Sequence, residues 1–296
     1  MFVSRILVLG AEGFLGNRLF LNSNKSYTLY GTSRKKEVLS NNLLSFDAQS
    51  VEALRPLLEK IRPEIVINCI GFTNVDMCES NPIEAFKLNT FFPEQLANLT
   101  HKLDIKFIHI STDHYKSILR KPRTESTKMW PVNVYGKSKI DAEKLIMSAN
   151  KKALVIRTNF FGYEEGRGNT QLLSRVKSSL ESGVNFFGFN DVFFSPLSVS
   201  ELIKAIYLLI GFDFSGLVNV SGNDSITKLE FARKVAINLE LPKERIISSS
   251  AKKSNLLTTR PQYLSLDNSL YKKTVKSDVR NINDMIKSEL LLYKPR

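Results

Sequence analysis

A tyrosine and a lysine four positions apart, Tyr135 and Lys139, form the residue pair of this chain best suited to proton transfer. On a helix, residues i and i+4 share one face, so both side chains can point into the same cleft. The pKa of a phenol is about 10, and a nearby ammonium stabilises the phenolate and lowers that pKa. The pair predicts a proton-donating tyrosine, although the same spacing also occurs on solvent-facing helices.

Two hydroxyl residues, Ser111 and Thr112, directly follow an apolar run at 106–110 that reads as a strand. In open α/β sheets, ligands bind at the carboxyl ends of the strands. Thr112 is therefore a candidate catalytic hydroxyl. The alternative is that both residues only cap a turn at the end of the strand.

Three glycines, Gly10, Gly13 and Gly16, follow the first apolar run at 5–9 and lead into a helical stretch. Glycine permits a tight turn and lets a pyrophosphate approach the amide groups at the start of a helix. Since the strand, turn and helix follow one another directly, this segment predicts a dinucleotide site.

Cations follow the second predicted strand, where a dinucleotide's adenosine ribose would lie. Arg34 and Lys35 stand there, and no acidic residue precedes Glu37. An acidic residue at this point accepts the ribose 2′-hydroxyl, whereas a cation accommodates a 2′-phosphate. The segment favours NADP(H), with NAD(H) as an alternative; both cations could also be ordinary exposed turn residues.

Apolar runs alternate with helical patterns through the first half of the chain, which predicts an α/β fold with a doubly wound parallel sheet of the Rossmann type. We expect residues 1–159 to form an NADP-binding domain. A helix at about 198–211 should pack back on that domain. Residues 160–296 should form mainly a smaller α/β lobe that binds the substrate.

The composition argues against several other classes of protein. The 296 residues carry a net charge of +13, but their lysines and arginines are scattered, so we expect no nucleic-acid partner. No apolar run is long enough for a membrane span or a signal peptide, which predicts a cytoplasmic protein. Two cysteines and three histidines lack metal-ligand spacing, so we predict no metal.

The glycine turn, Thr112, Tyr135 and Lys139, in this order, resemble the extended short-chain dehydrogenase/reductase superfamily. Further segments are similar to the dTDP-4-dehydrorhamnose reductase family, and the likeness runs from Ile6 to about Leu270. These segments are 75–82 with Ala85 and Asn89, 111–113, 133–139, 157–162, and Arg260-Pro261 with Ser265-Leu266.

The resemblance implies reduction of the C4 keto group of a nucleoside-diphosphate 4-keto-6-deoxy sugar, in deoxysugar or surface polysaccharide biosynthesis. Tyr135 would donate the proton, Lys139 would hold the nicotinamide ribose and lower the pKa of Tyr135, and Thr112 would orient the carbonyl. Some relatives dimerise, so a homodimer is one alternative for this chain, whose oligomeric state the sequence leaves open. The implied cofactor contacts are Gly10, Gly13, Phe14, Leu15, Gly16, Arg34, Lys35, Asp47, Asn68, Gly71 and Lys139. The implied substrate contacts are Thr73, Val75, Phe160 and Arg260.

The segment after Asp113 departs from the family, which usually continues with a Tyr-Val-Phe-like run where this chain has His114-Tyr115-Lys116-Ser117. The identity of the sugar is therefore left open. One alternative is an NAD-dependent epimerase or dehydratase, although His114 stands where dehydratases carry a glutamate. Another is a non-catalytic, NADP-binding regulatory subunit, since a relative of the family binds a methionine adenosyltransferase.

Overall fold

A computed structural model of the chain describes residues 4–22, 26–35, 42–48, 50–117, 120–164 and 171–292. The chain divides into two compact units. The first unit consists of Met1–Thr112, Asn133–Ile156 and Phe214–Leu217, and the second of Asp113–Val132, Arg157–Asp213 and Val218–Arg296.

The described residues form strands and helices in alternation. The strands are β1 (Ser4–Leu9), β2 (Tyr27–Ser33), β3 (Leu43–Ser45), β4 (Ile65–Asn68), β5 (Lys106–Thr112), β6 (Leu154–Thr158), β7 (Phe160–Phe161), β8 (Phe186–Phe189), β9 (Phe193–Phe194), β10 (Leu197–Ser198), β11 (Gly216–Asn219), β12 (Ile226–Thr227) and β13 (Ile246–Ser249). The α-helices are α1 (Phe14–Leu21), α2 (Arg55–Ile61), α3 (Val75–Ser80), α4 (Pro82–Phe86), α5 (Phe92–Lys102), α6 (Val134–Ala149), α7 (Leu172–Glu181), α8 (Val199–Gly211), α9 (Lys228–Asn238), α10 (Ser269–Val275) and α11 (Ile282–Leu291). Single 3-10 turns occur at Glu52–Leu54 and Lys243–Arg245, and a π-helical turn at Lys87–Phe91 joins α4 to α5.

Within the described ranges, the central sheet has seven strands in the order β11-β6-β5-β4-β1-β2-β3. The pairings of β1 with β2 and β4, of β2 with β3 and of β4 with β5 are parallel. The chain winds outward in both directions from β1, so the strand order reverses between β1 and β4, where open α/β sheets bind their ligands. The predicted doubly wound Rossmann-type sheet is confirmed.

The register of the sheet brings three chain segments to one edge. Leu9 pairs with Asn68, and Asn68 pairs with His109. Because these residues lie at or near the carboxyl ends of β1, β4 and β5, the glycine turn, the loop after β4 and Thr112 all follow at the same edge of the sheet. The sheet thus places the predicted cofactor turn and the predicted catalytic hydroxyl on one side of the first unit.

The core of the first unit is apolar on both faces of the sheet, as is usual for parallel strands. Leu7, Val66 and Phe107 are fully buried in neighbouring strands. Leu96 of α5 and Ile146 of α6 pack against the same cluster. Burial of these side chains supplies the main driving force for the first unit.

The second unit has small sheets and an aromatic core. β8 pairs in parallel with β13, β7 pairs in parallel with β10, and β9 pairs with β12 in antiparallel fashion. The ring of Phe231 on α9 meets those of Phe161 and Phe194 edge to face, with centroids 4.9 Å and 5.6 Å away. These rings form the interior of the second unit.

A buried arginine ties distant segments of the second unit together. The guanidinium of Arg123 is fully buried and donates hydrogen bonds to the backbone carbonyls of Asp113 (2.8 Å), Leu264 (2.7 Å) and Tyr115. These bonds satisfy a cation that would otherwise be costly to bury. The segment Asp113–Val132 is thereby fixed to residues near the C-terminal part of the chain.

The two units interleave along the chain. Asp113–Val132 and all of α8 belong to the second unit, while Phe214–Leu217 returns to the first. The expected assignment of residues 1–159 to the cofactor and 160–296 mainly to the substrate stays a prediction. So does the packing of the helix at about 198–211 on the first domain.

The turn between β1 and α1 needs glycine at two of its positions. Gly10 has a φ of +80°, a conformation that other residues rarely adopt. A Cβ atom on Gly16 would lie 2.1 Å from the carbonyl oxygen of Gly10, closer than any real contact. Helix α1 can therefore approach the turn only with glycine at position 16.

We expect Gly16→Ala to lower the free energy of unfolding by about 3 kcal/mol, since overpacking against backbone cannot relax through a side-chain rotation. Gly211→Ala is the matched control, because a Cβ atom at the exposed end of α8 would meet nothing within 4 Å. Urea unfolding followed by circular dichroism measures both variants. Equal midpoints for the two would contradict the close approach at Gly16.

Candidate active site

The start of helix α6 is held by two side chains that accept hydrogen bonds from its first amide groups. The Asn133 carbonyl Oδ1 accepts from the Gly136 amide at 2.8 Å, and Glu79 Oε2 on α3 accepts from the Val134 amide at 3.0 Å. Capping satisfies amide groups that have no partner inside the helix. These two caps determine where α6 begins, and Tyr135 therefore lies in its first turn, half-buried.

The side chain of Lys139 is buried one turn further along α6. Lys139 is only 5% exposed; its Nζ donates to the Ile110 carbonyl at 2.8 Å and lies 3.0 Å from His109 Nε2. Because Ile110 precedes Thr112 by two residues on β5, the ammonium lies near the carboxyl end of that strand. The structure thus brings the predicted Tyr135-Lys139 helix onto the strand that carries Thr112.

Burial changes the acidity of this lysine. Desolvation lowers the pKa of Lys139 to about 8, although the carboxylate of Glu143, one turn along the helix, acts in the opposite direction. Lys139 therefore keeps its positive charge at neutral pH and loses it in mildly alkaline solution. A cation at this place favours the phenolate form of a neighbouring tyrosine.

His109 is a site residue that sequence reasoning did not find. It is fully buried between Lys139 and Asn68, whose amide Nδ2 lies 3.2 Å from His109 Nδ1. Burial, reinforced by the charge of Lys139, holds the pKa of His109 well below its ordinary value, so the imidazole is neutral. It is a neutral polar neighbour that helps to hold the buried lysine.

The spacing of polar residues on β5 and α6 could have revealed this arrangement. His109 and Ser111 share one face of the strand, and each meets a residue of α6. His109 contacts Lys139, and the Ser111 hydroxyl donates to Glu143 Oε1 at 2.5 Å. Two polar residues of β5 that are two positions apart, His109 and Ser111, thus contact two charged residues of α6 that are four positions apart, Lys139 and Glu143. Ser111 faces the helix, which disagrees with the alternative that it only caps a turn.

Asn89 connects the loop after β4 to α6. Its Oδ1 accepts from the Phe72 amide at 2.8 Å, and its Nδ2 donates to the Phe72 carbonyl at 2.9 Å and to Ser138 Oγ at 3.1 Å. Ser138 Oγ in turn donates to the Tyr135 carbonyl at 2.8 Å. One buried amide thus sets the position of the loop containing Gly71 relative to the helix containing Tyr135.

The first unit contains a cavity of about 590 Å³ beside the glycine turn. Five of the residues predicted for the cofactor line it: Gly10, Gly13, Arg34, Asp47 and Gly71. Other described residues in its wall are Glu12, Thr32, Ser33, Phe46, Ala48, Cys69, Ile70, Phe72, Glu84, Lys87 and Leu88. The charge of Lys139 acts on Cys69 in this wall, which agrees with a position of the Lys139 ammonium close to the cavity.

The wall of this cavity suits a dinucleotide. Gly13 is exposed and has no side chain to block an approaching pyrophosphate, Arg34 offers a cation to a phosphate, and Phe46 and Ile70 offer apolar surface to a flat ring. The donors and the size of the cavity therefore fit the predicted cofactor.

The other residues predicted to contact the cofactor are not among the described residues that line this cavity. Leu15 and Gly16 are buried, and Phe14 packs under Arg18, whose guanidinium carbon lies 5.4 Å from the ring centroid. Asn68 is fully buried, and its Oδ1 accepts from the Ile70 amide at 3.0 Å. Lys35 is exposed and lies 3.6 Å from a carboxylate oxygen of Glu12. Direct cofactor contacts by these residues stay predictions.

The predicted substrate residues are divided between the units. In the first unit, Thr73 is exposed, whereas Val75 is buried at the start of α3. In the second unit, Phe160 is half-buried at the start of β7, and Arg260 lines a cavity of about 670 Å³. The structure does not test their binding roles, which stay predictions.

The cavity of the second unit combines cations with stacked aromatic rings. Lys116, Arg120 and Lys252 line it together with Arg260. Tyr263, also in the wall, stacks on Phe193 with a centroid distance of 5.4 Å, and the Arg120 guanidinium lies 5.4 Å from the Tyr263 ring. Such a surface suits a phosphorylated ligand that also carries a flat ring.

His114, at the departure from the family pattern, is held in its neutral form. Burial lowers the pKa of His114 to about 3, and the charges of Arg260, Lys228 and Arg123 act in the same direction. The imidazole is therefore unprotonated at neutral pH and cannot supply the proton that a carboxylic acid would supply at this position.

Two classes of feature are absent from the described part of the chain. None of its helices is long and apolar enough to cross a membrane. No group of three histidine, cysteine, aspartate or glutamate side chains among its residues is arranged to hold a metal ion.

Comparison with known proteins gives matches over nearly the whole chain. Residues 4–292 match the family described as RmlD substrate binding domain. A probable low-salt glycan biosynthesis reductase, Agl14, of Haloferax volcanii is 29% identical over 236 residues, which cover 77% of this chain and 78% of that protein. Methionine adenosyltransferase 2 subunit beta of Rattus norvegicus is 28% identical over 255 residues, or 82% of this chain and 74% of that protein.

A solved structure has the same fold. The crystal structure of dTDP-4-dehydrorhamnose reductase from Bacillus anthracis, in complex with NADP, superposes with a TM-score of 0.89. It is 21% identical, and the match covers 99% of this chain and 100% of that structure.

The low pKa of Lys139 leads to a direct prediction. We expect the Lys139 side chain to titrate near pH 8 instead of the ordinary 10.5, because burial disfavours its charged form. Nuclear magnetic resonance of lysine labelled with ¹³C at Cε measures this midpoint. Since burial also lowers the pKa of Lys228 to about 8, the Lys139→Met spectrum is needed to assign the signal. A midpoint above pH 10 for the assigned signal would show that the ammonium is solvated.

Proposed function

Because this chain belongs to the RmlD substrate binding domain family, we propose that it uses NADPH to reduce the C4 keto group of a nucleoside-diphosphate 4-keto-6-deoxy sugar. One observation carries the proposal. The buried ammonium of Lys139 lies against the strand that ends in Thr112, on the helix that carries Tyr135, and its charge acts on the wall of the dinucleotide cavity. A protein that only bound nucleotides would need no proton donor at this place.

The names of similar proteins support the reaction and its setting. One is a glycan biosynthesis reductase, and the Bacillus anthracis structure is a dTDP-4-dehydrorhamnose reductase with NADP bound. We extend these activities to the present chain and place it in deoxysugar or surface polysaccharide biosynthesis. A cytoplasmic location and a homodimer are parts of the same proposal.

NADPH, when bound, supplies the hydride that reduces the sugar C4 carbonyl carbon. The Tyr135 hydroxyl donates a proton to the carbonyl oxygen, which becomes the new hydroxyl group. The Thr112 hydroxyl hydrogen-bonds to the same oxygen and orients it. The Lys139 ammonium stabilises the resulting Tyr135 phenolate, and Ile110 and His109 hold that ammonium in place.

The second unit offers a site for the nucleoside diphosphate. Arg260 and the neighbouring cations of its cavity suit the diphosphate, and Tyr263 suits the base. Guanidinium groups bind phosphate oxygens through paired hydrogen bonds, which also fix the orientation of the ligand. This assignment agrees with the role predicted for Arg260 from the family motif.

A dehydratase is a poorer match to the site. Dehydratases related to this family carry a carboxylate two residues after the threonine, where this chain has the neutral His114. A regulatory subunit is a second candidate, favoured by the similarity to methionine adenosyltransferase 2 subunit beta. A reductase turns over a sugar nucleotide as a purified protein, whereas a regulatory subunit does not.

The reductase is tested by NADPH oxidation with dTDP-, UDP- and GDP-linked 4-keto-6-deoxy sugars, with NADH in parallel. We expect turnover with at least one of them. Tyr135→Phe should lower kcat by about 100-fold or more, since general acid catalysis contributes about 10²–10⁴-fold. Tyr30→Phe, a change of the same kind on β2, should leave kcat unchanged.

Two results would contradict this proposal. Full activity in the Tyr135→Phe protein would remove the proton donor from the mechanism. Tight NADPH binding with no turnover on any sugar nucleotide, together with a partner enzyme that copurifies at fixed stoichiometry, would favour the regulatory subunit.

Arg260→Met should raise KM for the sugar nucleotide about tenfold with little change in kcat, because the lost contact binds the ground state and the transition state alike. Arg233→Met, which removes an exposed arginine from α9, is the control and should change neither constant. Initial-rate kinetics on the best substrate measure both. A fall in kcat at unchanged KM would place Arg260 at the reacting carbonyl instead.

A further inference from the structure

Glu12 lies inside the glycine turn, and its carboxylate points to the end of β2. Its Oε2 accepts a hydrogen bond from the Arg34 amide at 3.3 Å, and its Oε1 lies 3.6 Å from Lys35 Nζ. It also accepts a hydrogen bond from the Ser33 hydroxyl. The side chain is 32% exposed and forms part of the wall of the dinucleotide cavity.

The partners of Glu12 are the groups that a 2′-phosphate would use. A phosphate at the end of the second strand of a Rossmann fold is bound by backbone amides, hydroxyls and cations that follow that strand. In this chain Ser33, Arg34 and Lys35 provide one of each. The Glu12 carboxylate therefore already contacts the groups that would bind the 2′-phosphate.

The carboxylate is ionised at neutral pH. Burial alone would raise the pKa of Glu12, but hydrogen bonds from Ser33 and the Arg34 amide, with the charge of Lys35, outweigh burial and hold the pKa below its ordinary value. A bound 2′-phosphate would thus face a full negative charge in the same wall.

We propose that Glu12 sets the choice between NADPH and NADH, because its carboxylate competes with the 2′-phosphate for Ser33, Arg34 and Lys35. NADH has no such phosphate and meets no competition. The chain therefore accepts both dinucleotides, and the Arg34 guanidinium, which lines the cavity, partly offsets the repulsion of NADPH. This inference rests on the dinucleotide use in the proposed function, and it adds the residue that determines specificity.

The test is the Kd of NADPH and of NADH, measured by calorimetry without any sugar nucleotide, for the native protein and for Glu12→Gln. The substitution keeps the shape of the side chain and removes its charge. We expect the Kd of NADPH to fall about tenfold, the effect of removing one partly screened like charge, and the Kd of NADH to change less than about twofold. The gain for NADPH should shrink in 0.5 M salt, because salt screens the repulsion.

Glu52→Gln is the matched control, since it removes one exposed carboxylate of the same unit that is not part of the cavity wall. It should change neither Kd. Glu12→Ala is a second variant, and it should also favour NADPH over NADH relative to the native protein. Lys35→Met should act in the opposite direction, raising the Kd of NADPH more than that of NADH.

The binding measurements distinguish a failure of the inference about Glu12 from a failure of the proposed function. If both dinucleotides bind the native protein and Glu12→Gln leaves the ratio of their Kd values unchanged, Glu12 does not determine specificity and the inference is overturned. If neither dinucleotide binds the native protein, the proposed function itself fails, and the inference fails with it.

Discussion

The buried ammonium group of Lys139 constrains the packing of α6 on β5 in the first unit. Transfer of a lysine side chain from water into the protein interior costs several kcal/mol unless its charge is compensated. The Ile110 carbonyl, the neutral ring of His109 and the carboxylate of Glu143 provide part of that compensation for Lys139, whose pKa burial still lowers to about 8. Since these groups belong to β5 and to α6 itself, their contacts favour the observed register of the helix on the strand. The position of Tyr135, one turn earlier on the same helix, follows from this packing.

Two buried asparagines extend this constraint to the wall of the cofactor cavity. Asn68 holds the Ile70 amide, and Asn89 holds both polar backbone groups of Phe72. Because Asn68 also meets His109, and Asn89 also meets Ser138, the loop after β4 is joined to the lysine and the tyrosine through buried polar contacts. Such networks are rigid when every member is satisfied. The cavity wall and Tyr135 are therefore connected by one network of buried polar contacts.

The features that the sequence predicts correctly are those with local causes. The alternation of strands and helices and the strand, glycine turn and helix at Gly10 depend on residues close together in the chain. Patterns within one segment do not assign His109 and Glu12, because their partners Lys139 and Lys35 lie in other segments of the chain; His109 requires the spacings on β5 and α6 to be compared. The return of Phe214–Leu217 to the first unit depends on contacts between residues far apart in the chain, which local sequence patterns do not show. The place of Asn68 in the sequence could not show that its side chain is buried against His109. That contact depends on the register of β4 against β5.

The bonds of Arg123 have a consequence for the order in which the chain folds during synthesis. Its guanidinium binds the Leu264 carbonyl, which lies 141 residues later in the sequence. A ribosome must therefore complete most of the protein before this arginine can be satisfied. Until then Arg123 can reach only the nearby carbonyls of Asp113 and Tyr115, and the rest of its guanidinium depends on water. Long-range contacts of this kind slow folding and prolong the exposure of unpaired segments. The residues that directly follow Thr112 therefore complete their buried contacts only after Leu264 has been synthesised.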